Sequence, residues 1–457
     1  MNEWAKFGNS GNASKKMNGS SDVTTGRDWR AAVESPLPER VEQELKSNFP
    51  YEIKVKGGPI NIKARRLPAS LYNKTKAELQ KLLEAGVINR SNSAWGFPIN
   101  VLRKDETEVR VVADLRQLNA ISIRDCYALP NLGDVANIIA KCKIFTKLDL
   151  TKAFYNLPLH ENSKKYFTIN TPFGSFSYNT IVEGHCNSAG AFLRFMHILL
   201  ADLPQVFVYI DDILIATEGE EEHKKILEKV LERFSYCKIY LNGSKSMIGE
   251  KQVTFLGYDI SSAGMKPNTE RVEVIKRISK PRTIKQLRSF LGALNFFRSC
   301  IPNLAHIIEP LTRQLKGKPF SSKKIKWKRD SEIAFEGAKS ALQDAVELGY
   351  PEGDTPLIVY TDASDVATAG AIFLDNGERK PLGFYSAVLK PCERSYTVFS
   401  KELLAIKKTM NKFSHLMIGR KVKIMTDSLA VKQAFKKNRL TCVKHTGKAI
   451  FSLYLRV

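Results

Sequence analysis

Asp211 and Asp212 stand side by side in Val206-Phe207-Val208-Tyr209-Ile210-Asp211-Asp212-Ile213-Leu214-Ile215, a run that is otherwise almost wholly apolar. β-Branched and aromatic residues on both sides read as the buried arms of a hairpin with the acids at its tip. Aspartate also favours turns for its own backbone hydrogen bonds, so a plain turn is one reading. A metal site is the other. Two carboxylates about 4 Å apart at an effective dielectric near 20 repel by roughly 4 kcal/mol, and a hairpin in an apolar sheet keeps both ionised only with cations nearby. A third acid, Asp149, closes the strand candidate Lys143-Ile144-Phe145-Thr146-Lys147-Leu148-Asp149-Leu150. Alternation puts Phe145, Lys147 and Asp149 on one face and gives Tyr209 and Asp211 a shared face, so laying the strands together brings Asp149 to Asp211. Carboxylates converging from separate strands suit two divalent ions that clamp the attacking and leaving oxygens of a phosphoryl transfer.

The surrounding chain offers elements able to position such a set. Leu71, Leu79, Leu82 and Leu83 fall at helical spacing, with Gly86 as a stop. Over residues 95–112 the pattern changes to short strands around the polar tip Lys104-Asp105-Glu106-Thr107-Glu108. A helix follows His223, with Ile226, Leu227, Val230, Leu231 and Phe234 on one face. Strands over 251–260 lead to Gly264-Met265-Lys266-Pro267, which reads as a hinge. Thr283 and Gln286 form a capping box for a helix through Leu287, Leu291, Leu294 and Phe297, in which Gly292 reads first as a point of close helix packing and second as a point of direct approach to a nucleic-acid backbone. Strands are expected over 357–362, 369–374, 381–388 and 422–427. Between the last two, Phe399, Leu403, Ile406, Met410 and Phe413 form the buried stripe of a helix bearing Glu402.

Lysine and arginine number 71 against 47 acids in 457 residues, a net charge of +24 on a chain that is 43% hydrophobic. That balance describes a globular protein of several domains with a polyanionic partner. Nucleic acid is favoured over a membrane surface, because no apolar stretch reaches spanning length and the N-terminus lacks a signal-peptide core. The seven cysteines are scattered without a Cys-x-x-Cys pair, as in a reducing compartment, and form no zinc knuckle. The seven histidines form no pair at metal-ligand spacing, so His160, His185 and His197 read as packing or surface residues. Lys316, Lys318, Lys323, Lys324, Lys326 and Lys328, around Trp327, are either a solvated face or a phosphate track. Residues 1 to about 35, rich in Asn, Ser, Gly and Lys, read as a disordered lead-in.

Leu148-Asp149-Leu150, then Ala153-Phe154, then Tyr209-Ile210-Asp211-Asp212 resemble the palm of reverse transcriptases from gypsy-type long-terminal-repeat retrotransposons and retroviruses. Further motifs keep the family order. Upstream are Leu82-Leu83-Glu84-Ala85-Gly86-Val87-Ile88, Ser91-Asn92-Ser93-Ala94-Trp95 and Arg110-Val111-Val112-Ala113-Asp114-Leu115-Arg116-Gln117-Leu118-Asn119. Downstream come Phe255-Leu256-Gly257-Tyr258, Leu287-Arg288-Ser289-Phe290-Leu291-Gly292 and Thr361-Asp362-Ala363-Ser364, the last like the opening of a ribonuclease H domain. The resemblance implies an α+β right hand of fingers and palm (36–264) and thumb (265–354), followed by an α/β ribonuclease H-like domain (355–457). That last domain is expected to be incomplete, because the family adds one more strand and a helix bearing a fourth acid.

Carried over residue by residue, the resemblance makes Asp149, Asp211 and Asp212 the metal-binding acids of a polymerase and Asp362, Glu402 and Asp427 those of a nuclease. It assigns Arg110 to the triphosphate, Arg103 or Lys104 to the basic fingertip beside it, and Phe154 to the sugar pocket, where a ring leaves no room for a 2′-hydroxyl. Glu183-Gly184 stand where the relatives have Gln-Gly or Phe-Gly, and Ala189 stands where they have proline, a departure that bears on nucleotide positioning. The activity implied is RNA-directed DNA polymerisation from deoxynucleoside triphosphates on a primed RNA or DNA template, the primer being DNA or RNA, with cleavage of RNA/DNA hybrid. Mg2+, or Mn2+ in its place, is the implied ion. The implied setting is a cytoplasmic retroelement particle, with the chain as one piece of a polyprotein. The rival is a decayed or domesticated retroelement protein that binds nucleic acid without catalysis; Glu183, Ala189 and the missing end favour it, and the intact acids and Phe154 oppose it. Host, natural primer and oligomeric state leave no trace in the sequence.

Overall fold

The computed structural model describes residues 36–436 apart from Lys104, Glu106, Thr107, Leu129, Asn131, Lys318, Pro319, Glu378 and Arg379. The expected lead-in and the stretch 437–457 lie outside the described residues. The chain forms two units, one reaching Ile138 and including Lys143–Glu250, the other comprising Ile139–Cys142 and the chain from Lys251.

In the first unit, Val206–Tyr209, Asp212–Thr217, Ile144–Asp149 and Met247–Glu250 lie in that order as an antiparallel sheet. Phe145, Leu148, Ile213, Leu214 and Ile215 are buried, as near-continuous apolar strands require. The helices Ser188–Leu199 and Glu220–Tyr236 pack against this sheet. His223, on the second helix, is buried with Nε2 2.7 Å from Thr146 Oγ1 and Nδ1 2.8 Å from Thr217 Oγ1, on adjacent strands. Thr146 Oγ1 also accepts the Gly249 N–H at 2.9 Å, so one imidazole ties the helix to three strands. The apolar stripe expected on this helix misses a charged member: Arg233 is buried, donating to both carboxylate oxygens of Asp202 at 2.6 and 2.8 Å and to Leu199 O.

A five-stranded sheet completes this unit in the order Ile88–Arg90, Gly174–Tyr178, Thr168–Thr171, Phe97–Arg103, Val109–Ala113. The helix Ala69–Glu84 lays Leu79 and Leu82 inward and stops before Gly86, as the spacing predicts. No described helix in the chain is long and apolar enough to cross a membrane.

In the second unit Gln252–Phe255, Tyr258–Ser261 and Met265–Pro267 form a three-stranded antiparallel sheet. Gly264-Met265-Lys266-Pro267 is therefore no hinge. Met265 exchanges backbone hydrogen bonds of 2.8 Å with Leu348, and a Cβ on Gly264 would lie 2.5 Å from Leu348 O, so the glycine serves close backbone approach. The helix Ile284–Phe296 has its capping box, with the Gln286 N–H donated to Thr283 Oγ1. It buries Leu287, Phe290, Leu291 and Leu294, which leaves Gly292 on the open side; a Cβ there meets nothing within 4 Å, and the close packing expected of it does not occur.

The remaining sheet runs Pro381–Val388, Ala367–Leu374, Leu357–Ala363, Val422–Met425, the last pair parallel. Across it lies the helix Val398–Lys412, burying Lys401, Glu402, Ala405, Ile406 and Thr409. Of the expected stripe, Ile406 and Phe413 are buried while Phe399, Leu403 and Met410 are only partly so. The helix approaches the sheet closely at Gly370, where a Cβ would sit 2.2 Å from Thr409 Oγ1.

Candidate active site

The hairpin register sets Asp212, and not Asp211, directly opposite Asp149. Ile210 and Asp211 form a two-residue turn, with Ile210 at φ 54°, a conformation that β-branched residues rarely adopt. Strand alternation cannot be carried through such a turn, so the expected convergence of Asp149 and Asp211 comes about across the turn, with Asp212 as the register partner. Asp211 still belongs to the cluster. Its Oδ1 is buried without a hydrogen-bond partner. Burial, then Glu183, Asp212 and Asp149, push its carboxyl up to about 6, against the pull of Arg110. Asp212 Oδ1 has a counter-charge, Lys147 Nζ at 3.2 Å. Asp149 is held through its backbone, with its N–H donated to Ser246 Oγ at 3.2 Å and its carbonyl accepting the Asn242 N–H at 2.8 Å. An orphaned carboxylate oxygen among like charges suits a divalent cation, although Asp149, Asp211 and Asp212 do not bring ligand atoms within 4.8 Å of one another.

Arg110 projects from the strand Val109–Ala113 and forms an ion pair with Glu183. The loop carrying Glu183 is fixed on both sides: Ser188 Oγ donates to Val182 O at 2.7 Å, and Asn119 donates to Gly184 O and accepts from Cys186 N–H, both at 2.8 Å. Arg103 does not stand beside Arg110. The strand register pairs Leu102 with Arg110 and Arg103 with Val109, so the two arginines leave opposite faces, and Arg103 Nη2 reaches toward Ser70 Oγ at 3.4 Å. Lys104 lies outside the described residues. Phe154, in the short 3-10 helix Ala153–Asn156, is partly buried and meets Phe192 edge-on with ring centroids 5.7 Å apart.

Sequence reasoning missed Asp114, which Arg116 grips at 2.8 and 2.7 Å and which Arg65 also contacts, holding the carboxyl well below its ordinary range. The signal was present as an acid two residues from an arginine inside a recognised motif. The histidines pack: His160 caps the helix Glu161–Lys164, His185 meets Ser122 Oγ at 3.0 Å, and His197 meets the Tyr127 hydroxyl at 2.8 Å.

In the second unit Asp362 lies on the strand Leu357–Ala363, Glu402 on the helix Val398–Lys412, and Asp427 two residues beyond the strand Val422–Met425. Ligand atoms of the three come within 4.8 Å of one another, the one such group of acids, cysteines or histidines among the described residues. Glu402 is buried, and its Oε2 has no partner. Burial, then Asp427 and Asp362, raise its carboxyl above the ordinary value. The donor chemistry again fits a divalent cation.

Residues 102–260 match the family described as reverse transcriptase (RNA-dependent DNA polymerase), and residues 327–424 match the RNase H-like domain found in reverse transcriptase. A retrovirus-related Pol polyprotein from transposon 297 of Drosophila melanogaster is 31% identical over 377 residues, covering 81% of this chain and 35% of that protein. The chain thus spans about a third of the length of the curated relatives it matches. Among solved structures, the foamy viral protease-reverse transcriptase dRH in complex with double-stranded DNA aligns with a TM-score of 0.76 and 25% identity over 86% of this chain and 69% of that one. The foamy viral protease-reverse transcriptase in complex with RNA/DNA hybrid aligns with a TM-score of 0.72 and 26% identity over 85% of this chain and 53% of that one. These likenesses fit the mixed α and β architecture and the acids of both domains. The chain carries a reverse transcriptase domain followed by an RNase H-like domain, and its homologues are retrotransposon Pol polyproteins.

Proposed function

We propose that this chain is an RNA-directed DNA polymerase that extends a DNA or RNA primer on an RNA or DNA template from deoxynucleoside triphosphates, with a C-terminal domain that cleaves RNA in RNA/DNA hybrid. Polymerisation is assigned to 36–264 with the thumb at 265–354, and cleavage to the chain from 355. The observation that carries the reading is Asp211, whose buried, unpartnered oxygen sits among Asp149, Asp212, Glu183 and Arg110. Divalent ions, Mg2+ or Mn2+, bound by Asp149, Asp211 and Asp212 would stabilise the charge of the transferring phosphoryl group and orient the primer hydroxyl. Asp149 presents its carboxylate from a backbone pinned by Ser246 and Asn242. Lys147 offsets the charge of Asp212. Arg110 supplies a planar, bidentate donor for the triphosphate. Phe154, backed by Phe192, forms the wall of the sugar pocket. In the nuclease domain Asp362, Glu402 and Asp427 hold the ions, with buried Glu402 as the acid least exposed to solvent.

The net charge of +24 supports a nucleic-acid duplex as partner, as do the double-stranded DNA and RNA/DNA hybrid bound by the foamy viral enzyme. Primer extension on homopolymeric RNA tests the reading: the wild-type chain extends the primer, and Asp211→Asn does not while still binding hybrid. The Arg110–Glu183 ion pair favours a second reading, binding without catalysis, because the arginine meant for a triphosphate already has an anionic partner. Hybrid binding by the wild-type chain with no extension at any nucleotide concentration would select that reading.

A further inference from the structure

Glu183 is the departure from the family pattern, and its carboxylate is paired with the guanidinium of Arg110. The pair is open to solvent, with the arginine side chain 55% and the glutamate side chain 43% exposed. Exposed ion pairs are weak and exchange readily for a better anion. The backbone under Glu183 does not wander, because Val182, Gly184 and Cys186 are each tied by hydrogen bonds to Ser188 or Asn119. Both charges also act on Asp211, which sets the pair beside the polymerase acids. A carboxylate on a fixed loop thus meets the same planar donor that a phosphate would use.

We propose that Glu183 is a displaceable occupant of the phosphate-binding face of Arg110, so that each incoming nucleotide must compete with a carboxylate of the chain itself. The inference rests on the polymerase reading above and makes Glu183 a positioning residue that sets nucleotide affinity rather than turnover. A triphosphate carries more charge than a carboxylate and engages the fork of Arg110 bidentately, so it wins the exchange at sufficient concentration. Once displaced, Glu183 stays on its fixed loop near the phosphates and continues to repel them. Both effects act first on KM.

The test uses the full chain, with steady-state extension on primed homopolymeric RNA and calorimetric binding of inorganic tripolyphosphate as a readout independent of catalysis. Glu183→Gln is expected to lower the KM for deoxynucleotide by about fivefold, the worth of an exposed ion pair, with kcat within twofold. Tripolyphosphate should bind more tightly by a similar factor, and the gain should shrink as salt is raised from about 50 to 200 mM. Arg110→Ala should weaken both nucleotide and tripolyphosphate, and in that background the gain from Glu183→Gln should shrink to the part owed to direct repulsion. If Arg110→Ala weakens both ligands but Glu183→Gln leaves them unchanged, or lowers kcat, Glu183 only braces Arg110 and the competition is wrong. If Arg110→Ala alters neither ligand, the nucleotide assignment itself fails.

Discussion

Lys147 Nζ lies 3.2 Å from Asp212 Oδ1, whereas the buried oxygen of Asp211 on the adjacent residue has no partner. Two neighbouring acids of one motif are therefore electrostatically unequal. Asp211→Asn should cost primer extension far more than a tenfold loss, which is about 1.4 kcal/mol. Asp212→Asn should cost less, because its charge is already partly offset by Lys147. Single-turnover rates of both variants check this, and equal losses would contradict the inequality.

The same carboxyl predicts an inverted pH dependence of stability in metal-free protein. Its folded value is pushed up to about 6, above the ordinary 3.8, so the folded state binds the extra proton between those values. Stability from this group is present below the unfolded value and lost as pH rises through about 6. Asp211→Asn should then raise Tm at pH 7 by about 2 °C or more, roughly 1 kcal/mol for a unit of this size, and have little effect near pH 4. Thermal melts with chelator present are the measurement; a Tm that falls at pH 7 would overturn the account.

His223 should give the opposite slope. Burial holds its imidazole down to about 4, below the ordinary 6.5, so the unfolded chain takes up a proton that the folded chain refuses. This contribution is complete above pH 6.5 and disappears as pH falls through 4. His223→Leu should flatten that acid limb in denaturant titrations. It should also cost about 1–3 kcal/mol at pH 7 for the partner it removes from the Thr146 and Thr217 hydroxyls. An unchanged slope between pH 7 and 5 would show that the imidazole does not set it.

Phe154→Val should admit ribonucleotides, since it shortens the wall backed by Phe192. The ratio of ribonucleotide to deoxynucleotide incorporation, measured on one template, should rise well beyond twofold, or roughly 0.4 kcal/mol. A ratio that stays within twofold places the sugar discrimination elsewhere.

What the sequence makes legible is local. The capping box of Thr283 and Gln286, the inward Leu79 and Leu82, and the arms of the Asp211-Asp212 hairpin depend on neighbours a few residues away, and all appear as read. The relations that fail to appear in sequence are set by register or by distant packing. A two-residue turn moved Asp149 opposite Asp212, and one step of strand register turned Arg103 away from Arg110. Gly264 answers to Leu348, more than eighty residues on, so nothing near it distinguishes a close approach from a hinge. The Arg110–Glu183 pair joins a strand to a loop 73 residues later. Glu183 stands out in the sequence as a departure, and the resemblance that places it near the incoming nucleotide also offers Arg110 as its partner.

Gly370 touches none of the six acids, yet the helix that carries Glu402 rests on it through Thr409. A side chain at that position is expected to push the helix outward and draw Glu402 away from Asp362 and Asp427, while the hairpin of Asp211 and Asp212 belongs to the other unit. On the proposed activities, a substitution at this one glycine would separate the two chemistries genetically, sparing DNA synthesis while leaving the RNA strand of the product duplex uncleared.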